Sequence, residues 1–139
     1  LINRDPEARE KISNDMLDCG ADATVVDYGQ NTLTLLLSHD DLGDGDAALV
    51  QRLVAAGADV NYRESHGDTP IKLAVKIGAE SDEQRRPIYE ALFGKDVDLD
   101  EPSSVRNPKN KIGEWLRMCV DHQPEGLKVL DEFLTARGF

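Results

Sequence analysis

The sequence predicts an all-α chain, a repeat solenoid of paired antiparallel helices joined by short β-turn fingers. Three observations carry that expectation. Apolar residues make up 40% of the chain but aromatics only 5%, which suits thin layers of small helices built from Leu, Val, Ile and Ala. Gly20-Ala21-Asp22 recurs as Gly57-Ala58-Asp59 and, weakened, as Gly94-Lys95-Asp96, in steps of 37 residues. A second register agrees: Asn31-Thr32-Leu33 aligns with Thr69-Pro70-Ile71 and then with Asn107-Pro108, each 38 residues on. Two landmarks advancing at nearly one period mark a repeat protein, in which each unit buries its apolar face against the next.

The elements follow in chain order. Asp5-Pro6-Glu7 caps a first helix, its acids suiting the positive end of a helix dipole, and Ile12, Met16 and Leu17 follow before Gly20. Asn31 in the next unit aligns with Thr69. Asp46 is the expected N-cap of a helix through Ala56, with Leu49, Val50, Leu53 and Val54 inward and Gly57 ending it. Thr69 is the N-cap of the best-defined helix, and Pro70 sits at its first position, where a missing N–H costs nothing. Ile71, Leu73, Ala74 and Ile77 give that helix one apolar side, and Gly78 stops it. Pro87 either shortens the second helix of its unit or lies in the first turn. Pro124 opens the last helix, with Leu127, Leu130, Phe133 and Leu134 as its stripe and Gly138 after it. The expected division is a partial repeat over 1–26, repeats over 27–63 and 64–101, and a divergent capping repeat over 102–139.

Leu53 to Asn61 (LVAAGADVN), followed by Gly67-Asp68-Thr69-Pro70-Ile71-Lys72-Leu73-Ala74, resembles the ankyrin repeat signature. That family's unit is about 33 residues, a β-turn plus two antiparallel helices; the excess here falls between helices, at His39 to Asp46 and Ala79 to Arg86. The match is strongest from Leu53 to Gly78. It departs from the family's Thr-Pro-Leu-His at Lys72, so the loop-to-loop hydrogen bonding that His supplies is absent or rebuilt. The last unit keeps only the proline, in Asn107-Pro108-Lys109-Asn110.

Charge narrows the partners. The net charge of −11, from 27 acidic and 16 basic residues, repels phosphate backbones and anionic lipid, so neither nucleic acid nor membrane is expected. It favours a basic protein partner, or serves solubility alone. Cys19 and Cys119 are too few and too far apart for a disulfide framework. No run approaches the ~18–20 apolar residues of a membrane span. The expected location is cytoplasmic, and because the chain begins at Leu1, export by a removed N-terminal signal stays open. A monomer is expected when unbound.

Candidate chemistry is sparse. The loop Asp40-Asp41-Leu42-Gly43-Asp44-Gly45-Asp46 suggests calcium, yet an EF-hand begun at Asp40 would place Leu42 at a ligand position and Gln51 at the twelfth. A calcium-responsive module is therefore one alternative, a solvated acidic loop the other. Cys119 and His122 have half of a zinc spacing with no second pair, and Cys119 lies one turn from Trp115, as a structural thiol would. There is no Gly-x-Ser-x-Gly, phosphate loop or His-Glu-x-x-His. The expectation is a non-catalytic module without cofactor or metal.

The resemblance implies a partner-binding surface formed by the finger tips and the exposed side of each unit's first helix. Carried over by position, it comprises Tyr28, Gln30 and Ser38, then Arg63, Ser65, His66, Asp68 and Lys76, then Arg106 and Glu114. Tyr28 and Arg63 lead as residue types favoured at hot spots; solvated loop positions are the plainer reading of most. Trp115 is expected in the core. Analogy with small acidic members of the family offers one further reading, a bacterial immunity or self-protection protein that blocks a toxin or hydrolase.

Overall fold

Helices dominate the structure, in line with the all-α expectation. The computed structural model describes residues 11, 14, 15, 18, 26, 27, 29–43, 45–104, 106 and 109–139. The expected cap at Asp5 to Glu7, the apolar Ile12, Met16 and Leu17, the first Gly-Ala-Asp triplet and Cys19 lie outside the described residues.

A two-stranded antiparallel hairpin, β1 (Val26–Asp27) and β2 (Gln30–Asn31), pairs Val26 with Asn31 and Asp27 with Gln30. Then come α1 (Thr32–Leu37), α2 (Asp46–Ala55), α3 (Pro70–Lys76), a 3-10 turn at Asp82–Arg85 that runs into α4 (Arg86–Gly94), α5 (Ile112–His122) and α6 (Lys128–Ala136). Helices α1 and α2, α3 and α4, and α5 and α6 pack as pairs. Like helices also meet between pairs: α1 touches α3, α2 touches α4, and α4 touches α6. One apolar core therefore runs along the whole stack, from Leu33 and Leu53 through Ile71, Ile88 and Leu92 to Leu116, Leu130 and Leu134. Each such side chain, fully buried, contributes roughly 1.5–3 kcal/mol.

The helix starts show how local sequence sets the elements. Asn31 caps α1 by accepting the Thr34 N–H at 2.9 Å, while Thr34 Oγ1 accepts the Asn31 N–H at 2.9 Å, a reciprocal capping box. Thr69 is the N-cap of α3 with Pro70 just inside, although its hydroxyl makes no capping bond. Pro87 lies in the first turn of α4, the second of its two expected placements, and the 3-10 turn precedes it.

Several expected boundaries are corrected. Gly45, at φ 85°, is the N-cap of α2, not Asp46; the Asp46 carboxylate folds back to accept the Gly43 N–H at 2.7 Å. Gly78 does not stop α3, which already leaves helical geometry at Ile77. Its backbone instead pairs with the loop after α1, Gly78 N–H to Asp40 O at 2.8 Å and Leu42 N–H to Gly78 O at 2.7 Å. A side chain at residue 78 would collide with the Asp41 carboxylate. The third pair starts at Lys111, the N-cap of α5, and not near Asn107. Helix α6 starts at Lys128 after a turn that holds Pro124, because Leu127 supplies the N-cap.

Among the described residues, the second helices of the three pairs end on one hydrogen-bond motif. After α2, Gly57 (φ 103°) donates to Val54 O and Ala58 to Leu53 O, both at 3.1 Å. After α4, Asp96 donates to Phe93 O and Val97 to Leu92 O. After α6, Gly138 (φ 86°) donates to Thr135 O and Phe139 to Leu134 O. This is the Schellman arrangement, which needs a left-handed residue just past the helix. In the middle unit that residue is Asp96, at φ 53°, and not Gly94, which ends the helix proper.

Candidate functional site

The fingers between helix pairs are joined to one another by side chains. Glu64, 5% exposed, is the centre of the first joint. Its Oε2 accepts Gln30 Nε2 at 2.9 Å from the preceding finger and lies 2.8 Å from His66 Nδ1. Its Oε1 accepts the Asp68 N–H at 2.9 Å. Beside it, Ser65 N–H donates to Gly29 O at 2.9 Å, and a Cβ on Gly29 (φ 73°) would stand 2.8 Å from the Ser65 Cβ. The backbone of the next turn is fixed likewise: Asn31 Nδ2 donates to Asp59 O, and Asp98 N–H donates to Asn61 Oδ1 at 2.7 Å.

Two cations make the second joint. Arg63 donates to Gly67 O at 2.7 Å within its own finger and to Pro102 O in the next. Lys72, 5% exposed, donates to Ser103 O, faces Asp68 Oδ1 at 3.3 Å and holds its ammonium 4.9 Å from the Trp115 ring centre. The loop-to-loop connection is thus rebuilt around a buried lysine, and it extends to α5 by a cation–π contact. Lys76, one turn on, pairs with both oxygens of Asp68 at 3.1 Å and stands 5.8 Å from the same ring.

Of the expected surface residues, the structure joins Gln30, His66, Asp68 and Lys76 through Glu64 and Asp68 into one network, with Ser65 and Arg63 beside it. Gln30 is half-buried and Arg63 is committed to two backbone carbonyls, so the first finger's amide and the expected hot-spot guanidinium both serve the framework. Ser65 and His66 remain exposed at the tip, the His66 side chain at 81%. Ser38 is exposed and turns its hydroxyl to Thr34 O of its own helix. Glu114 accepts the Lys111 N–H at 3.2 Å, and Arg106 is exposed. None of these three is drawn into the Glu64 network. Tyr28 lies outside the described residues.

Titration follows from these contacts. Burial works to raise the Glu64 pKa, but the hydrogen bonds from Asp68 N–H, His66 and Gln30 outweigh it and hold the carboxyl below its ordinary value. The hydrogen bond to Glu64 and its charge push the His66 pKa up. Burial raises the Cys119 thiol, which is half-buried against the core beside Trp115, as a structural thiol would be. At the start of the 3-10 turn, Asp82 is a buried carboxylate that accepts Tyr89 Oη at 2.7 Å, Leu130 N–H at 2.9 Å and Arg85 at 3.2 Å. Burial, then the Asp82 charge, drives the Tyr89 phenol strongly upward.

Among the described residues, no group of three or more His, Cys, Asp or Glu side chains is placed to hold a metal ion. Asp46, the last acid of the loop considered for calcium, is buried with a carboxylate oxygen turned to Gly43, and Asp44 lies outside the described residues. Among the described residues no helix is long and apolar enough to cross a membrane. The sequence matches no protein-family model and no curated protein at a significant level.

Glu64 was not among the expected site residues. Its only sequence signal is a carboxylate set between Arg63 and His66 in a short finger. A solvated acid has the same neighbours, and the acceptor role depends on a residue 34 positions away.

Proposed function

We propose that the chain is a non-catalytic, ankyrin-type stack that captures a protein partner on the side formed by its finger tips and first helices. The joining of consecutive fingers through Glu64, Arg63 and Lys72 carries this reading. Those three side chains are consumed in fixing the fingers relative to one another, while Ser65 and His66 stay exposed at the tip. A surface already ordered in the free protein loses less conformational entropy on docking, so more of each contact survives as affinity. The net charge of −11 adds steering of a partner that is basic overall, which weakens as salt rises.

Site-specific photo-crosslinking tests the face. A crosslinker replacing His66 or Ser38 should trap the partner, whereas one replacing Gln51 or Glu90, exposed on the second helices, should not. Crosslinks confined to Gln51 and Glu90 would place the docking face on the second helices and sink the proposal.

A further inference from the structure

The structure assigns a second, chemically distinct contact to this face: a groove between α3 and α5 that fits a partner segment presenting carboxylates beside apolar side chains. This rests on the reading of the finger and first-helix side as the docking face, and it names the chemistry of one part of it.

The groove has a volume of about 600 Å³ and is lined by Val75 and Lys76 of α3 with Ile77 after it, by Trp115, Cys119 and His122 of α5, and by Arg85 and Leu127. Its ionisable lining is Lys76, Arg85, His122 and Cys119; no Asp or Glu lines it. In a chain with 27 acids among 139 residues, an acid-free concavity with three basic side chains is a local reversal of sign. Two of the cations have partners behind the wall, Lys76 with Asp68 at 3.1 Å and Arg85 with Asp82 at 3.2 Å and with Ile77 O at 2.6 Å. His122 is exposed and has no such partner among the described residues. The Trp115 indole N–H likewise has no hydrogen-bond partner among the described residues.

An apolar side chain that displaces water from Val75 and Trp115 strengthens each charge-assisted hydrogen bond to a neighbouring incoming carboxylate. The floor takes an apolar side chain against Val75, Ile77 and Leu127. A cationic segment would find no carboxylate in the lining and would crowd Lys76, so the groove discriminates against it. The overall net charge steers whole molecules from a distance, whereas the groove selects at contact, inside about a Debye length of 8–10 Å.

Trp115 is the only tryptophan, so its emission reports occupancy of the groove directly. The probe is an acetylated and amidated peptide of alternating Glu and Leu, with an alternating Lys and Leu peptide as control. We expect a saturable change in Trp115 emission with the acidic peptide, at least tenfold weaker with the basic one, and an affinity that falls with salt. Lys76→Glu with His122→Glu should weaken the acidic peptide at least tenfold. Lys76→Gln with His122→Gln, which adds no repulsion, should weaken it several-fold and flatten its salt dependence. No saturable change with the acidic peptide, or an equal response to the basic one, overturns the assignment. Crosslinking at His66 and Ser38 reads the wider docking face independently of this groove, so the two failures are told apart.

Discussion

Gln30 and Glu64 stand on successive fingers, 34 residues apart in sequence, and their side chains meet at 2.9 Å. The same carboxylate takes the Asp68 N–H and faces His66. Removing it strands a half-buried amide and a backbone donor together. Glu64→Ala should therefore cost about 2–3 kcal/mol, more than a surface acid would. Chemical denaturation reads this as a lower midpoint with unchanged slope; a loss below about 0.5 kcal/mol would mean that water replaces Glu64 without penalty.

The Glu64–His66 contact gives stability a pH signature with two limbs. His66 has a raised folded pKa, so its contribution is complete below its ordinary value of 6.5 and is lost as pH rises through the higher folded value. Glu64 has a depressed folded pKa, so its contribution is complete above 4.5 and is lost as pH falls through the lower folded value. Both are present in full only between these two pH values. The imidazole is exposed and screened, so the alkaline limb should be shallow. His66→Gln should remove that limb and leave the acid one, as read by melting temperature against pH.

Asp96 holds a left-handed conformation, φ 53°, at a position where the other two second helices end on glycine. A residue with a Cβ pays roughly 1–2 kcal/mol there, and glycine loses about 0.5–1 kcal/mol of unfolded-state entropy in exchange. Asp96→Gly should therefore raise stability by about 0.5–1 kcal/mol. Asp96→Val, which tolerates this region worst, should lower it; equal stabilities for the two variants would deny that backbone handedness matters here.

Asp82 joins the 3-10 turn, α4 and α6 through Arg85, Tyr89 and the Leu130 N–H. Asp82→Ala leaves the buried Arg85 without its counter-charge and should cost about 3–5 kcal/mol. Tyr89→Phe removes one of three donors and should cost only about 1 kcal/mol. Thermal melts of the two variants, side by side, separate the charge from the hydrogen bond.

The middle of the fold was legible because its signals are local. Thr69-Pro70 starts α3, Gly57 ends α2, and Leu49, Val50, Leu53 and Val54 face inward as their spacing requires. Registers drift where loops lengthen. From Thr69 to Lys111 the N-caps advance 42 residues, so a 38-residue period set the third pair too early. The weakened triplet aligned Gly94 with Gly57, yet the left-handed residue that matches Gly57 is Asp96, 39 residues after it. Arg63 was singled out by type as an anchor for a partner, and it anchors the neighbouring finger instead. Glu64 and Lys72 were beyond local reading altogether. Their burial comes from contacts 31 to 34 residues away, which no spacing within a finger encodes.

Arg85 stands in the wall between two concavities. On one side lies the acid-free groove; on the other is a cavity of about 370 Å³ whose lining includes Glu80, Asp82, Glu83, Glu125 and Glu132 beside Lys128. The lining is therefore acid-rich on one side of a single guanidinium and acid-free on the other. A segment with charges of both signs that approaches this end feels a torque before it feels a contact. Its encounters arrive already turned one way round, which raises the productive fraction of collisions without adding to the strength of the final complex.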